Sequence, residues 1–149
     1  MTWATARRQL VSIGEAVVPT TQARGLPPKF KHDASGNEAS DAGDSRRFWL
    51  RTLSGAASAP FTTITTRWRM VVQMVVEYVD DAKTDTLDEC MVLDAIAIIK
   101  AMGLGSNWGR TASGIIAIAA AGENIAPFEI ESGDGRRRLR IQLEVTYHD

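Results

Sequence analysis

The end of the chain alternates so regularly that it constrains the fold more than any other feature. Leu139, Ile141, Leu143, Val145 and Tyr147 are interleaved with Arg138, Arg140, Gln142, Glu144 and Thr146. Successive side chains of a strand point to opposite faces, so this segment is a strand with one apolar and one polar side. The same period runs through a longer segment from Thr62 to Val79. Ile64, Thr66, Trp68, Met70, Val72, Met74, Val76 and Tyr78 share one face of it, and Thr65, Arg67, Arg69, Val71, Gln73, Val75, Glu77 and Val79 share the other. The first half alternates cleanly and the second half is apolar on both faces. One half should therefore have a wet side, and the other should be covered twice.

Shorter strands are expected beside these. From Arg46, Phe48, Leu50 and Thr52 oppose Trp49, Arg51 and Leu53, and the segment ends at a turn over Gly55 to Pro60. Ile115 to Ala119 and Ile125 to Glu131 are further strands. The second of these joins the final strand through Ser132-Gly133-Asp134-Gly135, which has hairpin turn chemistry. Lys29-Phe30-Lys31-His32 adds a short edge strand.

Two segments have helical spacing instead. Trp3, Ala6, Leu10, Ile13 and Val17 recur at three- and four-residue steps from Thr2 to Val18, with Thr2 as N-cap and Pro19 as stop. In the second helix, Thr86 to Met102, Thr86 and Glu89 form a capping box, Asp85 and Asp88 add negative charge, and Lys100 sits in the last turn. Gly103 is expected in the left-handed C′ position. Leu87, Met91, Ala95, Ile98 and Met102 make its core stripe. Val92, Leu93, Ile96 and Ile99 widen the apolar surface, and Cys90, Ala97 and Ala101 add a stripe of small side chains. A helix apolar nearly all round is covered on more than one side, and a neighbouring subunit is a natural second cover. The whole order gives an α+β fold: a mostly antiparallel sheet with an N-terminal helix and one long central helix packed on one face. At 149 residues this is a single domain, 1–149, carrying a long polar loop over residues 20–45.

Few residues suggest chemistry. The formal net charge is -1, which removes the basic excess of general nucleic-acid binders. Cys90 is the one cysteine, so an internal disulfide or multi-cysteine zinc site is excluded, and in a buried helix it acts as a small apolar residue. His32 and His148 lie in a polar loop and beside the C-terminus, where solvation explains both. Residues 103–109 are glycine-rich but follow a helix, unlike a phosphate-binding loop that opens one. No catalytic, metal-binding or cofactor-binding residue is therefore expected. No apolar stretch approaches the roughly 18 residues of a membrane span, and Arg7, Arg8 and Gln9 interrupt any signal-like stretch. A soluble protein made in a cytoplasm is expected. Candidate interface residues are Arg136, Arg137, Arg138 and Arg140 at the turn end of the last hairpin, read either as a solvated cluster or as a contact with an acidic protein surface or with phosphate. Trp108, in a polar loop, reads as an interface anchor, and Cys90, Ala97 and Ala101 as helix surface open to a neighbour.

The order of elements resembles the tail terminator (tail completion) proteins of long-tailed bacteriophages. Phe61 to Asp80 is similar to that family's long strand, Thr86 to Met102 to its main helix, and the ending from Arg137 to Tyr147 to its final strand. The polar loop is longer than the family's. The resemblance implies a structural virion protein that forms a hexameric ring on the tail tube protein and offers a joining surface to a head-completion or neck protein. DNA would pass through the lumen without specific binding. Assembly would occur in the host cytoplasm, with no membrane involved. The alternatives are another neck or tail component, such as a head-tail adaptor or tube protein, and a small bacterial α+β enzyme or binding module.

Overall fold

The computed structural model describes residues 2–19, 26–36, 45–58, 67–79, 84–109, 114–120, 127–133 and 135–148. Its elements are α1 (Trp3–Ala16), β1 (Lys31–His32), β2 (Arg47–Ser58), β3 (Arg67–Val79), α2 (Thr84–Gly103), a 3-10 turn (Gly105–Asn107), β4 (Ile115–Ala120), β5 (Phe128–Gly133) and β6 (Arg136–His148). The strands form one six-stranded sheet in the order β1-β2-β3-β6-β4, with β5 also pairing β6. All pairings are antiparallel except the short β1–β2 contact. The fold class is α+β.

β3 matches its sequence pattern. Its exposed and half-buried positions alternate near Arg67, whereas Met74 through Tyr78 are all buried. The inner face gathers Phe48 and Leu50 of β2, Val72, Met74, Val76 and Tyr78 of β3, and Leu139 to Tyr147 at alternate positions of β6. Both helices supply the rest of this core, through Ala6, Leu10 and Ile13 of α1 and Leu87, Met91, Ala95, Ile98 and Met102 of α2. Burying each large aliphatic side chain contributes about 1.5–3 kcal/mol. α1 approaches the sheet closely at Gly14, where an added Cβ would lie 2.9 Å from Phe48 Cζ. Thr2 Oγ1 accepts a hydrogen bond from the Thr5 amide at 3.3 Å, as its N-cap role requires.

Several local details differ from expectation. β2 does not end at Gly55 but continues to Ser58, because a bulge near Leu53 restores pairing and Gly55 leaves space for Met70, whose Sδ would lie 2.5 Å from an added Cβ. α2 begins two residues before Thr86, so that residue lies in the first turn and is not the N-cap. Gly103 is the last residue of α2 and is not left-handed; positive φ occurs at Gly114 and Gly135. Two side chains take over the C-terminal capping. Asn107 Nδ2 donates to the Ala101 carbonyl and Trp108 Nε1 to the Met102 carbonyl, each at 2.8 Å. The short edge strand expected near His32 is present as β1. The segments expected at residues 59–66, most of the polar loop, and Asp134 lie outside the described residues.

Candidate assembly surface

Arg46 and Arg47 enter the sheet side by side and leave on opposite faces. Arg46 has φ of 62°, a left-handed backbone unusual for a residue with a side chain, and it turns its guanidinium towards the helices. There it is fully buried. Its Nε and Nη2 donate to the two carboxylate oxygens of Asp94 on α2, at 2.9 and 3.0 Å, and Nη1 donates to the Pro27 carbonyl at 2.8 Å. The Tyr78 hydroxyl also donates to Asp94, at 2.6 Å, and Arg46 lies over the Phe30 ring at 5.6 Å. Burial pushes the Asp94 carboxyl above its ordinary range, although the bonds from Arg46 and Tyr78 oppose that shift. Burial likewise pushes the Tyr78 hydroxyl well up, with Asp94 adding to the effect. This group ties α2 to the sheet and to the segment before β1.

On the other face, Arg47, Glu77 and Arg138 occupy one row across β2, β3 and β6. Glu77 is fully buried. It accepts from Arg47 Nη2 at 2.6 Å, from Arg138 Nε at 3.2 Å and from Arg136. Arg47 Nη1 donates to Asp33 at 2.6 Å, and its guanidinium lies 5.0 Å from the Trp49 ring centre. That bond, with help from Ser35, holds the Asp33 carboxyl below its ordinary value. A buried carboxylate is tolerated here because each oxygen meets a fixed charged donor.

The arginine run is thus not the solvated cluster that sequence suggested. Arg137 and Arg138 are 7% and 9% exposed. Arg136 and Arg138 hold Glu77, Arg137 pairs with Asp88 of α2 and donates to Ser132, and Arg140 binds Glu131 twice, at 3.0 and 2.6 Å, and Gln73 at 3.2 Å. Register explains the difference: β6 places these side chains opposite β3, sixty or so residues away in sequence. The other candidates are also used internally. Trp108 is half-buried and caps α2; Cys90 is buried and free; Ala97 and Ala101 pack against the core. Ala101 lines a small cavity with Ile13, Ala16 and Val17, so α1 of the same chain covers that side of α2. Ile96, at 40% exposed, is a large apolar side chain that α2 leaves open, beside exposed Glu89 and Lys100.

Sequence reading passed over Asp94, Glu77, Arg46, Arg47, Asp33 and Tyr78 as a connected set. One signal was present. Asp94 is the sole charge between Glu89 and Lys100, and Glu77 the sole charge between Arg69 and Asp80. A lone carboxylate in an apolar run requires a buried partner.

The opposite end of the sheet is open. Arg51 through Ala56 are exposed regardless of which face they lie on, with Leu53 at 45%. β1 covers β2 only at Arg47 and Phe48, and among the described residues no strand pairs the outer edge of β2 beyond them. β4 is the other terminal strand there, with Ala117, Ala119 and Ala120 exposed. Neither Thr52–Ala57 nor Ile115–Ala120 contains a charged residue or a proline. No protein-family model matches the chain, and no curated protein matches its sequence.

Proposed function

We propose that this chain is a structural assembly protein of the tail terminator type, a ring subunit that caps the tail tube of a long-tailed phage and presents the head-joining surface. The observation carrying this reading is a pair of unlike edges on opposite sides of one sheet, Thr52–Ala57 of β2 and Ala117–Ala120 of β4, that no strand pairs among the described residues. Natural edges are normally blunted by charge, proline or cover, and two long uncharged edges favour association. Because the edges differ, association is head-to-tail, the contact type that closes into cyclic rings. In this reading α2 is the central helix of the scaffold, its open side near Ile96 faces a neighbour, and the ring is a hexamer in the virion. Tail tube protein and a head-completion or neck protein are its partners, and DNA passes through without specific contacts.

Native mass spectrometry and negative-stain imaging of the purified chain test this directly. Closed rings of one size support it, and a chain that remains monomeric at millimolar concentration overturns it. An adaptor or tube role differs in partner, so co-assembly with tail tube distinguishes them. The binding-module alternative rests on a different feature, a cleft of about 480 Å³ lined by Lys29, Lys31, His32, Asp33 and Arg47. A phosphate titration followed by NMR of these residues tests that reading.

A further inference from the structure

The two edges that no strand pairs among the described residues, Thr52–Ala57 of β2 and Ala117–Ala120 of β4, lie at the same height of the sheet. The cross-strand rows run Thr52, Val72, Leu143, Ala120; then Ser54, Val71, Glu144, Ala119; then Gly55, Met70, Val145, Ile118. They continue with Ala56, Arg69, Thr146, Ala117, and with Ala57, Trp68, Tyr147, Ile115. Every row therefore begins at the β2 edge and ends at the β4 edge. β2 and β6 run one way, and β3 and β4 the other, since each neighbouring pair is antiparallel. A second copy in the same orientation, set beside β2, presents β4 antiparallel to it. The alternation of direction then passes unbroken from copy to copy.

Charge agrees with this placement. Just below the uncharged stretch, the β2 edge carries exposed Arg51, in the row of Gln73 and Gln142. On the opposite edge, β5 carries exposed Glu129 two rows away, opposite Arg140. Both belong to the face away from the helices. Laying the β4–β5 edge along β2 brings a guanidinium and a carboxylate to diagonal positions, within reach of long side chains.

We propose that Ala117–Ala120 of β4 in one copy add to the edge of β2 over Thr52–Ala56 in the next copy, forming a continuous antiparallel sheet with Arg51 meeting Glu129 across the joint. The proposal rests on the ring reading and names the contact that would build it. Backbone hydrogen bonds supply the attachment, and the alternation of small residues sets which faces align.

The test uses the full chain carrying Cys90→Ala and paired cysteines on the outer face, Ala56→Cys with Ala117→Cys, and separately Ser54→Cys with Ala117→Cys. Within one copy these positions are three strand spacings apart, about 14 Å. A disulfide requires Cα atoms within about 7 Å, so any bridge must join two copies. Mild oxidation is expected to give a ladder of cross-linked multimers for one pair, that of the true register, and no ladder for Cys90→Ala alone. Charge reversal provides the second measurement. Arg51→Glu and Glu129→Arg should each weaken association about fivefold by sedimentation, and the double reversal should restore it. Rings that form without cross-linking in either register, and whose association ignores both reversals, overturn the strand pairing and leave the ring reading standing. A partner strand from another protein would show as cross-linking to that protein in place of self-ladders, which also overturns the proposal. A chain monomeric at millimolar concentration overturns the pairing and the ring together.

Discussion

Where β1 and β5 lie, β2, β3 and β6 carry Arg47, Glu77 and Arg138 in one row, all buried; further along, the same strands carry Ala56, Arg69 and Thr146, with Ala56 and Arg69 exposed. The first end is locked on both faces, by the Glu77 cluster outside and by Arg46–Asp94–Tyr78 inside. A one-residue slip of β3 would turn Glu77 into the helix core and Tyr78 out of it, so these pairs specify register as well as hold charge. At the second end, among the described residues, the strands are joined by the exposed Arg69–Glu144 pair and by no buried charge. Ser54 to Ala57 of β2 bring only small side chains to that edge. The contrast teaches that the closed end sets the alignment of the sheet and thereby delivers two level, open edges at the other.

The largest effect should come from replacing Arg136, Arg137 and Arg138 together with Glu. Three carboxylates would then crowd Glu77 and Asp88, where the native structure has guanidiniums. Breaking one buried pair by removing a partner costs about 3–5 kcal/mol, and repulsion adds to that loss. Circular dichroism should show loss of the native fold. A native spectrum would mean that the closed end does not depend on these pairs.

Next in size is Asp94→Ala, which leaves Arg46 buried without its carboxylate and removes the acceptor of the Tyr78 hydroxyl. Denaturant unfolding should show a loss of about 3–5 kcal/mol. Replacing all three partners, Arg46→Met with Asp94→Leu and Tyr78→Phe, should recover most of it, because the apolar set needs no desolvated charge and leaves no buried hydroxyl without an acceptor. If the triple variant is as unstable as the single, the group contributes more than mutual neutralisation.

Much of this fold is legible in the chain. The period of two in β3 and β6 identifies both strands, their inner faces and the doubly covered half of β3. The helix spacing and Thr2 identify α1. The arrangement of the charged groups is not legible, because it depends on register between distant segments. The row of Glu77 with Arg47 and Arg138 follows only from the observed β2–β3 and β3–β6 pairing. The bulge at Leu53 hid the length of β2 in the same way, since one extra residue breaks the alternation and makes a continuing strand look finished. The end of α2 was misread for another reason. Glycine suggests a left-handed cap, but Asn107 and Trp108 reach back to the Ala101 and Met102 carbonyls of the last turn, and the helix ends on those bonds instead.

Acid should separate the two faces of the closed end. Asp33 is held below its ordinary value of 3.8 by Arg47, so its contribution is present above that pH and lost as pH falls through the folded value. Asp94 is shifted the other way by burial, so its contribution is present below 3.8 and lost as pH rises through its folded value. Asp33→Asn should therefore flatten the fall in stability on the acid side, whereas Asp94→Asn should remove a term of opposite slope. Urea midpoints measured from about pH 3 to pH 7 check both signs. Parallel curves for the wild type and Asp33→Asn would show that the Arg47–Asp33 bond is not retained in solution.

The smallest effect on folding should come from the open end, and there stability and assembly should part. Ala119 is exposed on the outer face of β4, directly opposite Glu144 of β6. Ala119→Lys puts an ammonium beside a carboxylate that already pairs with Arg69 at 3.1 Å, so the monomer gains at most a shared exposed pair and loses only an exposed methyl. Such a change alters folding stability by no more than about 0.5 kcal/mol. The same ammonium, however, stands on an edge that would be covered by β2 of the next copy, where its desolvation is costly and its bulk opposes close pairing. Edge lysines block strand addition for this reason. Unchanged denaturant midpoints together with weaker association by sedimentation are the expected pair of results. Unchanged association would place the copy-to-copy contact elsewhere, while a large loss of folding stability would show that the β4 edge already has a structural role within one copy.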